Sequence, residues 1–267
     1  MNQNEFWQHA MNWLIDNAPN GISSEAVLQY LDPNGSVARP DTMDKLYRSL
    51  LKSLSQAGMA EGVIVGAMPN GIDSLSVVTG KFSPEKTRKR YGSDFRALFA
   101  DVQKKVRPNG KLREEGLWPR YCRTMLSVAE FLVQFDGVDD FYFWVDKFNS
   151  DEHARAGLPL ILSEEIFGAG FALACNVLID LGYQEFAKPD RHVKRILMGA
   201  GFISDDASDY QALKSVLRIA NLAEVTPYAV DKVLFLIGSG RFYKHSDMAV
   251  VGRRDRTRRF LEYLRIQ

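Results

Sequence analysis

Residues 166–178, IFGAGFALACNVL, and residues 188–196, KPDRHVKRI, carry most of what the sequence says about its fold. The first stretch reads as the end of one helix, a tight turn with Gly168 and Gly170 two apart, and a second, apolar helix. Glycine supplies positive φ and lacks a Cβ, so the backbone there can approach another group closely. Amides of a turn that opens a helix point outward and make a site for an anion such as phosphate. In the second stretch Asp190 follows Pro189 and stands where a helix begins, the place of an N-cap. Capping alone, worth about 1 kcal/mol, is a sufficient reason for an aspartate there.

Working outward, helical periodicity or caps predict segments near 93–106, 117–134, 139–148, 160–166, 171–181, 190–199, 207–219, 227–237 and 254–265. Before them the pattern changes. Helices are expected over 5–17, 24–31 and 40–57, the last with Leu46, Leu50, Leu51 and Leu54 on one face. Two β-like runs follow, Gly62–Ala67 and Ser74–Val78, separated by the turn signal Pro69-Asn70-Gly71. Three helices and a hairpin suggest a small winged-helix-like α+β domain over 1–80. A basic connector over 81–92 (PEKTRKRYG at its end) and an all-helical domain over 93–267 would complete a mainly α chain.

Composition narrows the function classes. Hydrophobic residues at 46% and charged residues at 25% suit a globular core of ordinary size. The net charge of +1 hides a bias: residues 1–80 carry four basic and eight acidic side chains, residues 81–125 thirteen and five. A basic stretch of that kind is a candidate polyanion contact or a solvated linker, and the acidic front end offers Lys45, Arg48 and Lys52 to phosphate only against Asp41 and Asp44. Cys122 and Cys175 form no C-x-x-C pair and lie near no histidine, so a zinc site and a four-cysteine iron–sulfur cluster fail on ligand count. The cysteine usage suits a reducing compartment. The start, MNQNEFWQHA, is not patterned as a signal peptide, and no apolar run approaches a membrane span. A cytoplasmic protein, nucleoid-associated in a prokaryote, is expected.

The pairing of F-G-A-G-F-A-L-A with P-D-R-H-V-K-R-I resembles the signature of the helix-hairpin-helix DNA glycosylase superfamily, which includes endonuclease III and the adenine-mismatch glycosylase. That group has a hairpin L-P-G-[VI]-G, an apolar helix and a loop ending V-D-x-H-[VI]-x-R-[VI]. The interval of eighteen residues from Ala172 to Asp190 agrees with it. Residues 229–243, ending G-S-G-R-F-Y, are similar to a late helix of the family, and Gly116-Leu117-Trp118 to an earlier helix start, so the resemblance runs from about 93 to 260. Departures are specific. Ile166-Phe167 replaces leucine-proline, Ala172 stands at the lysine nucleophile position, and the cluster cysteines are absent.

The resemblance implies a DNA glycosylase that hydrolyses the N-glycosidic bond of a damaged or modified base. Asp190 would be the catalytic carboxylate, stabilising an oxocarbenium-like sugar and orienting water. A helix N-terminus favours negative charge, which suits that role. Without lysine at 172 no Schiff base forms, so the enzyme would be monofunctional and leave an abasic site; Lys188 and Lys194 are nearby but do not match the nucleophile position. Gly168, Ala169, Gly170, Phe171 and Ala172 would contact double-stranded DNA. Arg191, Lys194 and Arg195 are candidates for phosphate, with one of them turned to solvent or an acidic neighbour. A flipped base needs flat surfaces, for which Trp118, Tyr121, Tyr142 and Trp144 are candidates within an otherwise aromatic core. The run Arg253–Arg259 either tracks the DNA backbone or is the exposed start of the last helix. His192 reads as structural. No cofactor is expected except a monovalent cation at the hairpin, no metal and no membrane partner, and the protein is expected to be a monomer. Two other readings stay open: a non-catalytic DNA-binding protein that kept the hairpin, and an interaction module working through its acidic front end.

Overall fold

The computed structural model of the chain describes residues 2–32, 38–56, 62–110, 112–245 and 255–267. Among these the secondary structure is helical, with no strand. In chain order the helices are α1 (Gln3–Asp16), α2 (Ser24–Leu28), α3 (Met43–Leu54), α4 (Val63–Gly66), α5 (Pro84–Tyr91), α6 (Phe95–Asp101), α7 (Leu117–Leu132) and α8 (Val138–Asn149). They continue as α9 (Glu152–Arg155), α10 (Leu158–Glu165), α11 (Phe171–Asp180), α12 (Arg191–Gly199), α13 (Asp209–Leu222), α14 (Pro227–Ser239) and α15 (Arg256–Leu264). Two 3-10 segments, Gly71–Val77 and Tyr243–His245, and a π-helical turn, Val102–Val106, lie between them. No helix among the described residues is long and apolar enough to cross a membrane.

The helices form two compact units that differ from the expected division. A terminal unit joins residues 1–37 to 182–267, and a mid-chain unit spans 38–181. The reason lies in the buried face of α1. Phe6, Ala10, Trp13 and Leu14 pack against α13, α14 and α15, with the Phe6 ring edge-on to Phe202 at 4.8 Å and Trp13 tilted on Phe260 at 5.4 Å. Arg256 tightens this end. Its Nη1 donates to the Asn17 carbonyl at 2.9 Å, its guanidinium lies 5.0 Å over the Trp13 ring, and burial pulls its pKa down to about 10. The first helix is thus part of a core completed by the last one.

The third helix goes elsewhere. Its predicted face, Leu46, Leu50, Leu51 and Leu54, is buried in the mid-chain unit, where α3 packs on α7 and α11. Tyr47 Oη donates to the Met125 carbonyl at 2.8 Å and anchors α3 to α7. A winged helix needs a β-hairpin, and no strand is found among the described residues. The run expected as the first strand is α4, entered through Gly62 at φ +86°, and the second lies within the 3-10 segment. Their amides bond locally, Gly66 to the Gly62 carbonyl at 2.6 Å and Val78 to that of Leu75 at 3.0 Å. A four-residue apolar run beside a left-handed glycine closes its own turn before it can pair with a distant strand. The expected connector is also structured. Ser83 caps α5, Pro84 occupies its first turn, and Thr87 and Tyr91, four residues apart, are buried against neighbouring helices.

Candidate functional site

The hairpin is present in the mid-chain unit. α10 ends at Ile166, whose amide donates to the Leu162 carbonyl at 3.1 Å. The chain turns through Phe167, Gly168 and Ala169 and enters α11 at Gly170. Ser127 on α7 clamps the turn: its Oγ accepts from the Phe167 amide at 2.8 Å and donates to the Glu165 carbonyl at 3.2 Å. The two glycines have different jobs. Gly168 sits at φ +85°, and a Cβ there would lie 2.8 Å from Thr124 Oγ1, so the fold requires it twice over. Gly170 has φ −53° and open space where a Cβ would stand, so nothing among the described residues requires glycine there. No side chain caps α11, and the Leu173 amide of its first turn donates to the Gly170 carbonyl at 2.8 Å. Gly170 is exposed, Phe171 and Ala172 half-buried. Ala169 is 2% exposed, so any ligand contact it makes runs through its backbone.

Asp190 belongs to the terminal unit and does cap α12. Its φ and ψ of −76° and 177° are the extended geometry of an N-cap, and Oδ1 accepts from the amides of His192 at 2.8 Å and Val193 at 3.1 Å. Oδ2 has no hydrogen-bond partner among the described residues, and the side chain is half-buried with no arginine paired to it. Of the neighbouring cations, Arg191 is exposed, while Lys194 is tied to Asp209 at 2.8 Å. Lys194 is therefore the member of that set turned to an acidic neighbour. Arg195 is exposed beside α15.

The helix behind Asp190 is held very close to α14. A Cβ at Gly238 would stand 2.8 Å from His192 Cβ, and the His192 ring is edge-on to Phe235 at 5.8 Å. Burial lowers the His192 pKa; the Asp190 charge opposes this and Arg191 and Arg195 reinforce it. The imidazole is a packed, neutral-leaning ring, as a structural histidine should be.

Sequence reasoning did not single out Asp231 and Lys232. Asp231, on α14, is 2% exposed and pairs with Lys232 Nζ at 3.2 Å. Lys232 also lies 4.9 Å over the Tyr228 ring. Burial raises the Asp231 carboxyl, partly offset by Lys232, and the charge on Asp190 pushes the same way as burial. Burial works against the Lys232 charge, but Asp231, Tyr243 and Tyr228 more than offset it, so the ammonium is held more firmly than usual. A signal existed: Asp231 stands seven before Gly238 and three before Leu234, on the buried stripe of its helix. An acid on such a stripe needs a partner.

The aromatic candidates fall apart on inspection. Trp118 is 8% exposed and Tyr121 4%, and Tyr121 Oη donates to the Leu51 carbonyl at 2.8 Å; both are buried, and the cavity that Tyr121 lines beside Gly168 holds only about 20 Å³, too little for a base. Trp144 is packed among Phe131, Phe135, Phe141 and Phe148. Tyr142 is half-buried under Arg39 at 5.2 Å, with burial pushing its hydroxyl up to about 12. In the basic run before the last helix, Arg253 and Arg254 lie outside the described residues, Arg256 is buried, and Arg258 pairs with Glu262 at 3.7 Å. Its described part secures α15.

No family model and no curated protein matches the chain. Among solved structures it is similar to the crystal structure of Methanocaldococcus jannaschii 8-oxoguanine glycosylase/lyase in complex with 15mer DNA containing 8-oxoguanine. The match has 15% identity and a TM-score of 0.47, covering 89% of this chain and 99% of that one.

Proposed function

We propose that the protein is a monofunctional DNA glycosylase acting on a damaged or modified base in double-stranded DNA. The observation that carries this reading is the state of Asp190: one oxygen engaged by two helix amides, the other unpartnered. A carboxylate so fixed can lean one oxygen toward a sugar C1′ as positive charge develops, or toward the attacking water. Two further observations support DNA as the partner. α11 opens without a side-chain cap, and the space where a Gly170 Cβ would stand is open, as close approach of a strand phosphate to this turn would need. The sequence match D-x-H-V-x-R-I supports assigning the catalytic role to Asp190.

Alanine at 172 supports the lack of lyase chemistry. Lys232 does not replace the missing lysine: it is paired with Asp231 and its proton is held more tightly than usual, the reverse of an activated amine. No cofactor enters the mechanism; a monovalent cation at the hairpin carbonyls is part of the proposal.

The decisive test is release of base from a panel of modified duplexes by the wild type, compared with Asp190→Asn. Release lost with binding kept supports the enzyme. A covalent complex trapped by borohydride would show that a lysine does act. A second reading, a DNA-binding protein without chemistry, is favoured by the double capping role of Asp190, which gives the residue a structural reason to be there; absence of release across the panel with salt-sensitive duplex binding would establish it.

A further inference from the structure

Beside the hairpin, within the mid-chain unit, lies a cavity of about 800 Å³ whose walls include Phe95, Phe99, Arg96, Arg120, Arg123 and Phe167. Its size is that of sites for small organic ligands. Two arginine–aromatic plates face it. The Arg123 guanidinium stacks 3.9 Å from the Phe167 ring centroid, and that of Arg96 lies 5.9 Å from Phe95. A second cavity of about 520 Å³ shares Phe95, Arg123 and Phe167 with the first, so the Arg123–Phe167 plate stands as a ridge between two hollows. Phe167 is no loose side chain, because its backbone is the one clamped by Ser127.

The arginines of the mid-chain unit divide into those paired with a carboxylate and those, Arg107, Arg113 and Arg155 among them, with no such pair among the described residues. Arg39, Arg48, Arg88 and Arg90 are each paired with a carboxylate. Arg96, Arg120 and Arg123 are exposed, and no carboxylate pairs with any of them among the described residues. This holds although Glu114 and Glu115 line the same cavity. Three uncommitted guanidinium groups around aromatic faces fit a ligand with both a flat ring and a phosphate. The two glutamates suit the ring N–H and amino groups of a base and disfavour a bare polyphosphate.

We propose that this groove binds an unpaired nucleotide of a DNA strand, its base stacked on the Phe95 and Phe167 plates and its phosphate at Arg96 and Arg120. The site explains Phe167, where the sequence departs from leucine-proline ahead of the hairpin glycine: the departure supplies a stacking face next to the strand-gripping turn. The proposal rests on the nucleic-acid part of the reading above and is independent of the chemistry at Asp190.

The test uses the full chain carrying Phe95→Trp, a substitution at a half-exposed position that places a fluorophore on the plate. A single-stranded pentadeoxynucleotide should quench it saturably, and a blunt duplex, dAMP and pyrophosphate should each quench it at least tenfold less at equal concentration. Arg120→Ala, at an exposed position, should weaken the pentanucleotide about tenfold, as loss of a phosphate-contacting cation does. A labelled pentanucleotide followed by anisotropy gives the same comparison for the wild type and Arg123→Ala, free of any effect of the new tryptophan. Quenching by dAMP equal to that by the strand would overturn the strand as occupant. No quenching, with duplex binding retained, would overturn this site and leave the glycosylase reading standing; no binding of any DNA would remove both.

Discussion

Two helices open within twenty residues of each other in sequence, and they treat their first amides in opposite ways. α11 begins at Gly170 with no side-chain cap and with open space before it, whereas α12 begins at Asp190, whose own carboxylate takes two amides. Every helix start has orphan N–H groups and a positive end of its dipole. Left open, they attract an anion from outside; closed by an aspartate, they hold a carboxylate in a fixed pose. On the proposed reading, the same local physics serves a grip on the strand in one unit and a chemical group in the other.

The largest expected effect comes from altering the closed start without opening it. Asn caps a helix about as well as Asp, so Asp190→Asn should leave thermal stability and duplex affinity near wild type. It should lower single-turnover base release by about a hundredfold or more, the cost of losing a preorganised charge in a transition state. Release that survived the change would reduce Asp190 to its capping role and make the two helix starts differ in stability alone.

Next in size is the asymmetry between the hairpin glycines. Gly168→Ala combines a left-handed φ with a contact of 2.8 Å to Thr124 Oγ1, and should cost about 1–3 kcal/mol in a urea unfolding series. Gly170→Ala meets nothing and should stay within about 0.5 kcal/mol. Equal losses would mean that the second glycine also serves the fold, removing the case for an external ligand at that turn.

The sequence reveals these two starts for a physical reason: caps and positive-φ glycines are local, and local chemistry is written in consecutive residues. The helices from α6 onward, the four-residue α9 apart, follow from periodicity for the same reason. What escaped depends on partners far apart in the chain. PEKTRKRY carries no apolar stripe and so reads as a connector, yet α5 packs on α7 with Thr87 and Tyr91 buried. Sequence adjacency groups α1 with the helices that follow it, while its partners α13, α14 and α15 begin some two hundred residues later. Residue type alone suggests Trp118 and Tyr121 as flat surfaces for a base, but burial is set by packing that residue type does not encode. The Arg123–Phe167 plate joins residues 44 apart and is invisible to any short motif.

A smaller and more direct way to sharpen the comparison is to close the open start. Gly170 already has the φ of −53° and ψ of 156° of an N-cap, and its missing Cβ faces free space. Gly170→Asp should thus cap α11 with its own carboxylate and raise stability by a few tenths of a kcal/mol. If the α11 amides meet phosphate as proposed, the same carboxylate would compete for them and repel the strand, so duplex affinity should fall about tenfold, a cost of ~1.4 kcal/mol. Gain in both stability and affinity would show that the α11 amides do not meet DNA.

The smallest effect concerns the seam behind Asp190. The His192 ring has its pKa lowered, by burial first, and its Nδ1 is buried without a hydrogen-bond partner among the described residues. Its folded pKa therefore lies below its unfolded value of about 6.5. In the window between the two the unfolded chain binds more protons, so stability is full above the unfolded value and falls as pH drops through the folded one. His192→Gln cannot take up that proton and should flatten this part of the profile, read as urea midpoints from pH 7.5 to pH 5. The Asp190 charge opposes the shift, so combining His192→Gln with Asp190→Asn tests whether the two residues share the seam. If the cap and the ring are coupled, removing the carboxylate in a chain that keeps His192 should steepen the acid loss, and in His192→Gln it should change nothing. A profile unaffected by either substitution would mean that the α12 start is solvated, and its carboxylate no more fixed than one on an open surface.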